Sequence, residues 1–141
     1  MRIDGIQVAE DSVPITTERS FNAESFTFQA ERPFVIGLVA KDFKQNDTGL
    51  EYIGTRRQQM GDGGVIVQIK TANGAQVAVS DAGWDMAGFD TSDWPAANVY
   101  SARQVDPKDG YDQITWAQEA KLIWGPDPEQ SNTVLCRITV E

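Results

Sequence analysis

The sequence predicts an all-β fold, a jelly-roll-like antiparallel β-sandwich with at most one or two short helical turns. Three observations carry this. Apolar residues recur with a period of two, not the period of about 3.6 that marks a helix. The pair Asn73-Gly74 lies between two alternating runs, which signals a hairpin turn. Short apolar runs are separated by clusters of Gly, Asp, Asn and Pro, as in sandwiches and jelly rolls.

Along the chain, Phe26 and Phe28 alternate with Ser25, Thr27 and Gln29. The stretch Pro33 to Ala40 is apolar at both parities, which predicts a central strand covered on both faces. Val65, Val67 and Ile69 alternate with polar residues, the Asn73-Gly74 turn follows, and Val77 and Val79 begin the return strand. Val134, Cys136, Ile138 and Val140 share one face of a last strand over 132–140. Helical signal is confined to two places. Residues 115–121 suit about two turns, with Thr115 as N-cap and Gln118 completing a capping box. Residues 90–95 suit one turn, because Pro95 stops anything longer.

Two segments lack strand character, Lys44 to Gly64 and Gln104 to Gln113. Long polar loops in a compact domain are candidates for function. The Gly61-Asp62-Gly63-Gly64 run is no phosphate loop, since it lacks the Lys-Ser/Thr pair and precedes a strand.

Several motifs carry a family resemblance. Val65-Ile66-Val67-Gln68-Ile69, Asn73-Gly74 and Val79-Ser80-Asp81-Ala82-Gly83-Trp84 form a strand, a turn and a Trp-terminated run. They are followed by Gly88-Phe89-Asp90-Thr91-Ser92-Asp93-Trp94-Pro95-Ala96-Ala97, then Ala120-Lys121-Leu122-Ile123-Trp124-Gly125, then the strand Asn132 to Val140. In this order they resemble the galactose-binding-domain-like β-sandwiches that accompany glycoside hydrolases such as α-L-rhamnosidases and β-galactosidases. The resemblance covers roughly residues 63–141. Leu135-Cys136-Arg137 departs from it by lacking an aromatic and a second basic residue. It implies a sandwich that binds carbohydrate and performs no catalysis. Trp84, Trp94 and Trp124 are expected in the core rather than on a sugar.

Composition narrows the rest. The 141 residues suit a single domain, 1–141, that buries roughly two thirds of its unfolded surface. The net charge of -9 and a pI near 4.4 disfavour nucleic acid and anionic membranes as partners. There is no histidine, which removes Ser-His-Asp and Cys-His nucleophiles and His-based zinc sites. Cys136 is the sole cysteine, so no internal disulfide forms, and its alternating run predicts a small buried hydrophobe. The expectation is therefore a protein that is not an enzyme. The first residues show no basic-then-apolar signal pattern. A secreted or cell-surface location is expected if the chain is part of a larger protein, and a cytoplasmic one otherwise.

Sugar recognition needs an aromatic face and planar polar groups, and the two long loops hold both. The candidate ligand-binding residues are Tyr52, Arg56, Arg57, Asp109, Tyr111 and Trp116. The competing reading has the arginines pairing with surface carboxylates and the tyrosines pinning loops. No cofactor is expected. A structural calcium ion would find oxygens at Asp106, Asp109, Asp112 and the Gly110 carbonyl, though a solvated acidic turn explains the same residues. Beside carbohydrate recognition stands a second reading: a structural or protein-interaction module, including a homo-oligomer that associates through an edge strand or an exposed aromatic face.

Overall fold

The computed structural model describes residues 1–10, 23–42, 63–88, 93–107, 111–128, 131 and 133–141. Among these the fold is all-β, with nine strands in three sheets and one short helix. The strands are β1 (Arg2–Ile3), β2 (Ile6–Gln7), β3 (Phe34–Lys41), β4 (Gln68–Lys70), β5 (Gln76–Val79), β6 (Asp85–Ala87), β7 (Asn98–Tyr100), β8 (Leu122–Trp124) and β9 (Thr133–Val140). The helix, α1, is Ala102–Val105.

A five-stranded antiparallel sheet runs β2-β1-β3-β9-β6. Its spine is the eight-residue pairing of β3 with β9, from Phe34 opposite Val140 to Lys41 opposite Thr133. The alternation expected for the last strand holds. Val134, Cys136 and Val140 are buried, and Ile138 packs against the same core. On β3 the expectation fails in part. Phe34 and Ile36 are buried, but Val35 and Val39 on the opposite face are 37% and 54% exposed. The strand is central by pairing yet covered on one face only.

The hairpin forms as expected. β4 and β5 pair antiparallel around a turn in which the Gly74 amide donates to the Thr71 carbonyl at 2.8 Å. Gly74 has φ +86°, a conformation open to Gly and costly for most other residues.

The small sheets are stitched to the large one by backbone bonds outside named strands. Residues 95–97 line the outer edge of β6: the Met86 amide donates to Pro95 O at 2.8 Å, and the Ala97 amide to Trp84 O at 2.7 Å. The next three residues are β7, which pairs with β8. One segment thus passes from the large sheet to a small one. Val65 and Ile123 then exchange two bonds, 3.0 and 2.9 Å, linking β8 to the segment that leads into β4.

The main core draws on all three sheets, including Ile36, Ile69, Trp84, Met86, Ile123, Trp124 and Cys136. Trp84 and Trp124 are its largest fully buried side chains. Each removes about 200 Å² from water, worth roughly 5 kcal/mol gross. Their indole N–H groups are not stranded: Trp84 donates to Val79 O and Trp124 to Ser131 O, both at 2.9 Å. A second cluster, Ile66, Val105, Ala120 and Leu122, contains α1 and abuts Tyr111 and Trp116. Leu122 and Ile123 are adjacent and both buried, because β8 serves both clusters: Leu122 enters the second, and Ile123 and Trp124 enter the main core.

Three local expectations change. Residues 23–30 hold no strand, and Phe26 is exposed while Phe28 meets Phe34 edge-on at 5.9 Å. Residues 115–121 hold no helix. The Gln68 side chain pairs with that segment instead, donating to Thr115 O and accepting from the Ala117 amide. The capping box forms at α1, where Ser101 is the N-cap and Gln104 reaches back to its amide at 3.0 Å. Trp94 is not core: it is half-buried, under the guanidinium of Arg137.

Candidate functional site

Of the six residues proposed for sugar binding, Tyr52, Arg56, Arg57 and Asp109 lie outside the described residues. The structure brings the other two together. The Tyr111 and Trp116 rings are stacked, with centroids 6.0 Å apart and planes 27° apart. Trp116 Nε1 donates to the Tyr111 carbonyl at 3.1 Å, closing the loop 111–116 on itself. Both rings rest against the second core cluster. The pair therefore pins its loop onto the small sheets, as the competing reading has it, while each ring keeps partial exposure.

The calcium expectation finds little to build on. Asp109 and Gly110 lie outside the described residues. Asp106 serves as the left-handed C-cap of α1, φ 47°, with its amide donating to Ala102 O at 2.7 Å. Among the described residues no group of three or more Cys, Asp and Glu side chains is placed to hold a metal ion.

A cleft of about 400 Å³ opens between the start of β9, the end of β6 and the residues Gly125, Pro126 and Ser131. Its lining is mainly apolar, with Met86, Ala87, Pro95, Pro126 and Val134. Two of its backbone acceptors already have donors. Gly125 O accepts from Tyr100 Oη at 2.8 Å, and Ser131 O accepts from Trp124. Burial, then the Asp127 carboxylate, raise the pKa of Tyr100, so its hydroxyl stays a donor at neutral pH.

The feature that sequence reasoning missed is the outer face of the five-stranded sheet. Directly opposed residues share a face. One cross-strand row therefore runs Gln7, Arg2, Gly37, Arg137, Asp85. Val35 and Val39 lie on β3 to either side of Gly37, and Lys41 lies beyond. Arg137 is held twice: its Nε donates to Asp85 Oδ2 at 3.1 Å, and its guanidinium carbon sits 4.2 Å over the Trp94 ring. Arg2 is held by Nη1 donating to Gly5 O at 2.7 Å. The signal was present in the odd-numbered positions of β3 and β9, but pairing register is what turns them into one row.

Cys136 lies on the opposite face, in the core, and burial pushes its thiol up to about 12. It is a protonated hydrophobe at neutral pH. No helix among the described residues is long and apolar enough to cross a membrane. No family model matches the chain, and comparison with curated proteins and with solved structures returns no match either.

Proposed function

We propose that this protein is a non-catalytic β module that makes protein contacts through the outer face of its five-stranded sheet. The observation that carries this is the outward pair on β3, Val35 and Val39, exposed in the middle of the largest sheet. A sheet face that meets only water is ordinarily lined with polar residues, and apolar area kept there marks a contact surface. The core shared by all three sheets supports a jelly-roll-like sandwich, the architecture that the galactose-binding-like resemblance implies.

The test is photo-cross-linking in cells that make the protein. A photoreactive residue at position 39 yields discrete protein adducts, and one at the hairpin tip, position 73, does not. Adding Val35→Asp removes the adducts. The same adduct pattern from both positions, or none from position 39, overturns the reading.

Carbohydrate recognition remains the second reading, favoured by the partly exposed Tyr111–Trp116 stack. Retention on a polysaccharide gel that is lost in Trp116→Ala supports it. No retention on any polysaccharide removes it.

A further inference from the structure

The tip of the β4–β5 hairpin carries a reactive pair, and Thr71 holds both members of it. Asn73 is the one asparagine of five that glycine follows. The main-chain nitrogen after an asparagine can attack the side-chain Cγ, because the two close a five-membered ring within one chain. Gly puts no Cβ beside that nitrogen. Residues 71–75 are all exposed, and a Cβ on Gly74 would meet nothing within 4 Å. The Gly74 amide donates to Thr71 O at 2.8 Å, which makes Asn73 the third residue of a β-turn. Asn73 Oδ1 accepts from Thr71 Oγ1 and, at 3.3 Å, from the Ala75 amide. Thr71 thus engages the nucleophile through its carbonyl and the electrophile through its hydroxyl. Ring closure swings Gly74 N off Thr71 O, so it waits for the turn to open. An exposed tip opens locally, far below the free energy of global unfolding.

We propose that Asn73 is a modification site, converting spontaneously to aspartate and isoaspartate, and that Thr71 sets the rate. Gly74 N gives up its proton to solvent base and bonds to Asn73 Cγ. The Cγ–Nδ2 bond breaks, and Nδ2 leaves as ammonia with a proton from solvent. Water then opens the ring. Attack at Cγ restores the main chain with an aspartate side chain. Attack at the Asn73 carbonyl carbon routes the main chain through Cγ and leaves isoaspartate. The sum is amide plus water to acid plus ammonia, so no oxidant, reductant or enzyme enters. Either product puts a negative charge on the hairpin tip. Isoaspartate also lengthens the main chain by one carbon between Thr71 and Gly74, out of register with the turn bond. The reaction needs no partner and stands apart from the protein-contact reading.

The test follows amide-to-acid exchange by peptide mass mapping while the full chain stands in mildly alkaline buffer, beside a synthetic peptide of residues 70–76. Exchange appears at Asn73 and not at Asn98 on β7, with isoaspartate among the products. The peptide, too short to hold a hairpin, reacts about tenfold or more faster than the chain. Thr71→Val removes the hydroxyl and speeds the chain by about threefold to tenfold, the worth of one net hydrogen bond. Thr71→Ser keeps the hydroxyl and the wild-type rate. Thr71→Val in the peptide changes nothing, since there is no turn to open. The buried Cys136 stays unlabelled by a thiol reagent throughout, which shows the chain folded. No exchange at Asn73, or aspartate as the sole product, overturns the site. A chain as fast as the peptide, or Thr71→Val at the wild-type rate, overturns the role of Thr71. Labelling of Cys136 in step with the exchange overturns local opening and puts the reaction in the unfolded chain.

Discussion

Ser80 and Lys121 are joined by two hydrogen bonds that both involve Lys121's backbone: the Ser80 hydroxyl donates to Lys121 O at 2.6 Å, and the Lys121 amide donates to Ser80 O at 2.8 Å. The same hydroxyl accepts from the Val67 amide at 2.9 Å, and the Ser80 amide donates to Val67 O at 2.9 Å. One fully buried side chain therefore ties the end of β5, the approach to β4 and the start of β8 together. Ser80→Ala leaves the Val67 amide and the Lys121 carbonyl each short of a partner in the interior. The expected loss is roughly 2–4 kcal/mol, a large share of a typical domain's stability. Lys121→Ala keeps the backbone bonds and shifts stability by no more than about 0.5 kcal/mol. Urea midpoints of the two variants check the contrast.

Three glycines are predicted to respond differently to the same added methyl. A Cβ on Gly63 falls 2.5 Å from Trp124 Cε2 and 2.6 Å from its Nε1, and that indole is buried and bonded to Ser131 O. Gly63→Ala therefore costs about 1–3 kcal/mol through forced repacking and shifts the Trp124 emission. Gly74 has open space but φ +86°, so Gly74→Ala costs about 1 kcal/mol through backbone strain. Gly37→Ala meets neither obstacle and gains roughly 0.4–1 kcal/mol by restricting the unfolded chain. Thermal unfolding of the three variants orders them, and a destabilised Gly37→Ala would refute the account of that position.

How legible this was in the sequence differs by element. The hairpin around Asn73-Gly74 and the buried parity of β9 follow from local chemistry, and both were readable. The exposed face of β3 was not. Pro33 to Ala40 is apolar at both parities, and nothing local says which parity lacks a covering layer. The capping box went to Ser101 and Gln104 rather than Thr115 and Gln118, although both pairs have the same spacing. At 115–121 the Gln68 amide supplies the backbone bonds that a helix would have made, a tertiary contact invisible to propensity. The row Arg2, Gly37, Arg137 joins residues more than a hundred positions apart, so only register assembles it.

Arg137 links Asp85 to Trp94, and its variants separate charge from stacking. Both partners of the ion pair are about two-fifths exposed, so the bridge contributes only about 0.2–1 kcal/mol. The guanidinium over Trp94 adds roughly 0.5–1 kcal/mol. Arg137→Lys keeps the charge, loses the planar stack, and alters Trp94 emission with a stability change under about 1 kcal/mol. The emission is read against a Trp94→Phe background. A loss of several kcal/mol would mean that the triad is a core element and not a surface one.

Cys136 gives the protein a signed pH response in the alkaline range. The unfolded thiol ionises near 9.0, whereas burial keeps the folded thiol protonated up to about 12. Below about 9 both states hold the proton and the thiol adds no pH dependence. Between the two values unfolding releases the proton, so stability falls with rising pH by up to about 1.4 kcal/mol per unit. Other groups contribute at alkaline pH as well, Tyr100 with its raised pKa among them. The quantity to measure is therefore the difference between wild type and Cys136→Ala, in which their contributions cancel. Urea unfolding from about pH 8 to about pH 11 shows the wild type losing stability faster than the variant. In the native state at about pH 8 the thiol stays inert to a disulfide reagent such as Ellman's, and it reacts only when urea exposes it. Equal alkaline slopes, or prompt labelling of the native chain, would show that Cys136 is not held in the core between β3 and β6.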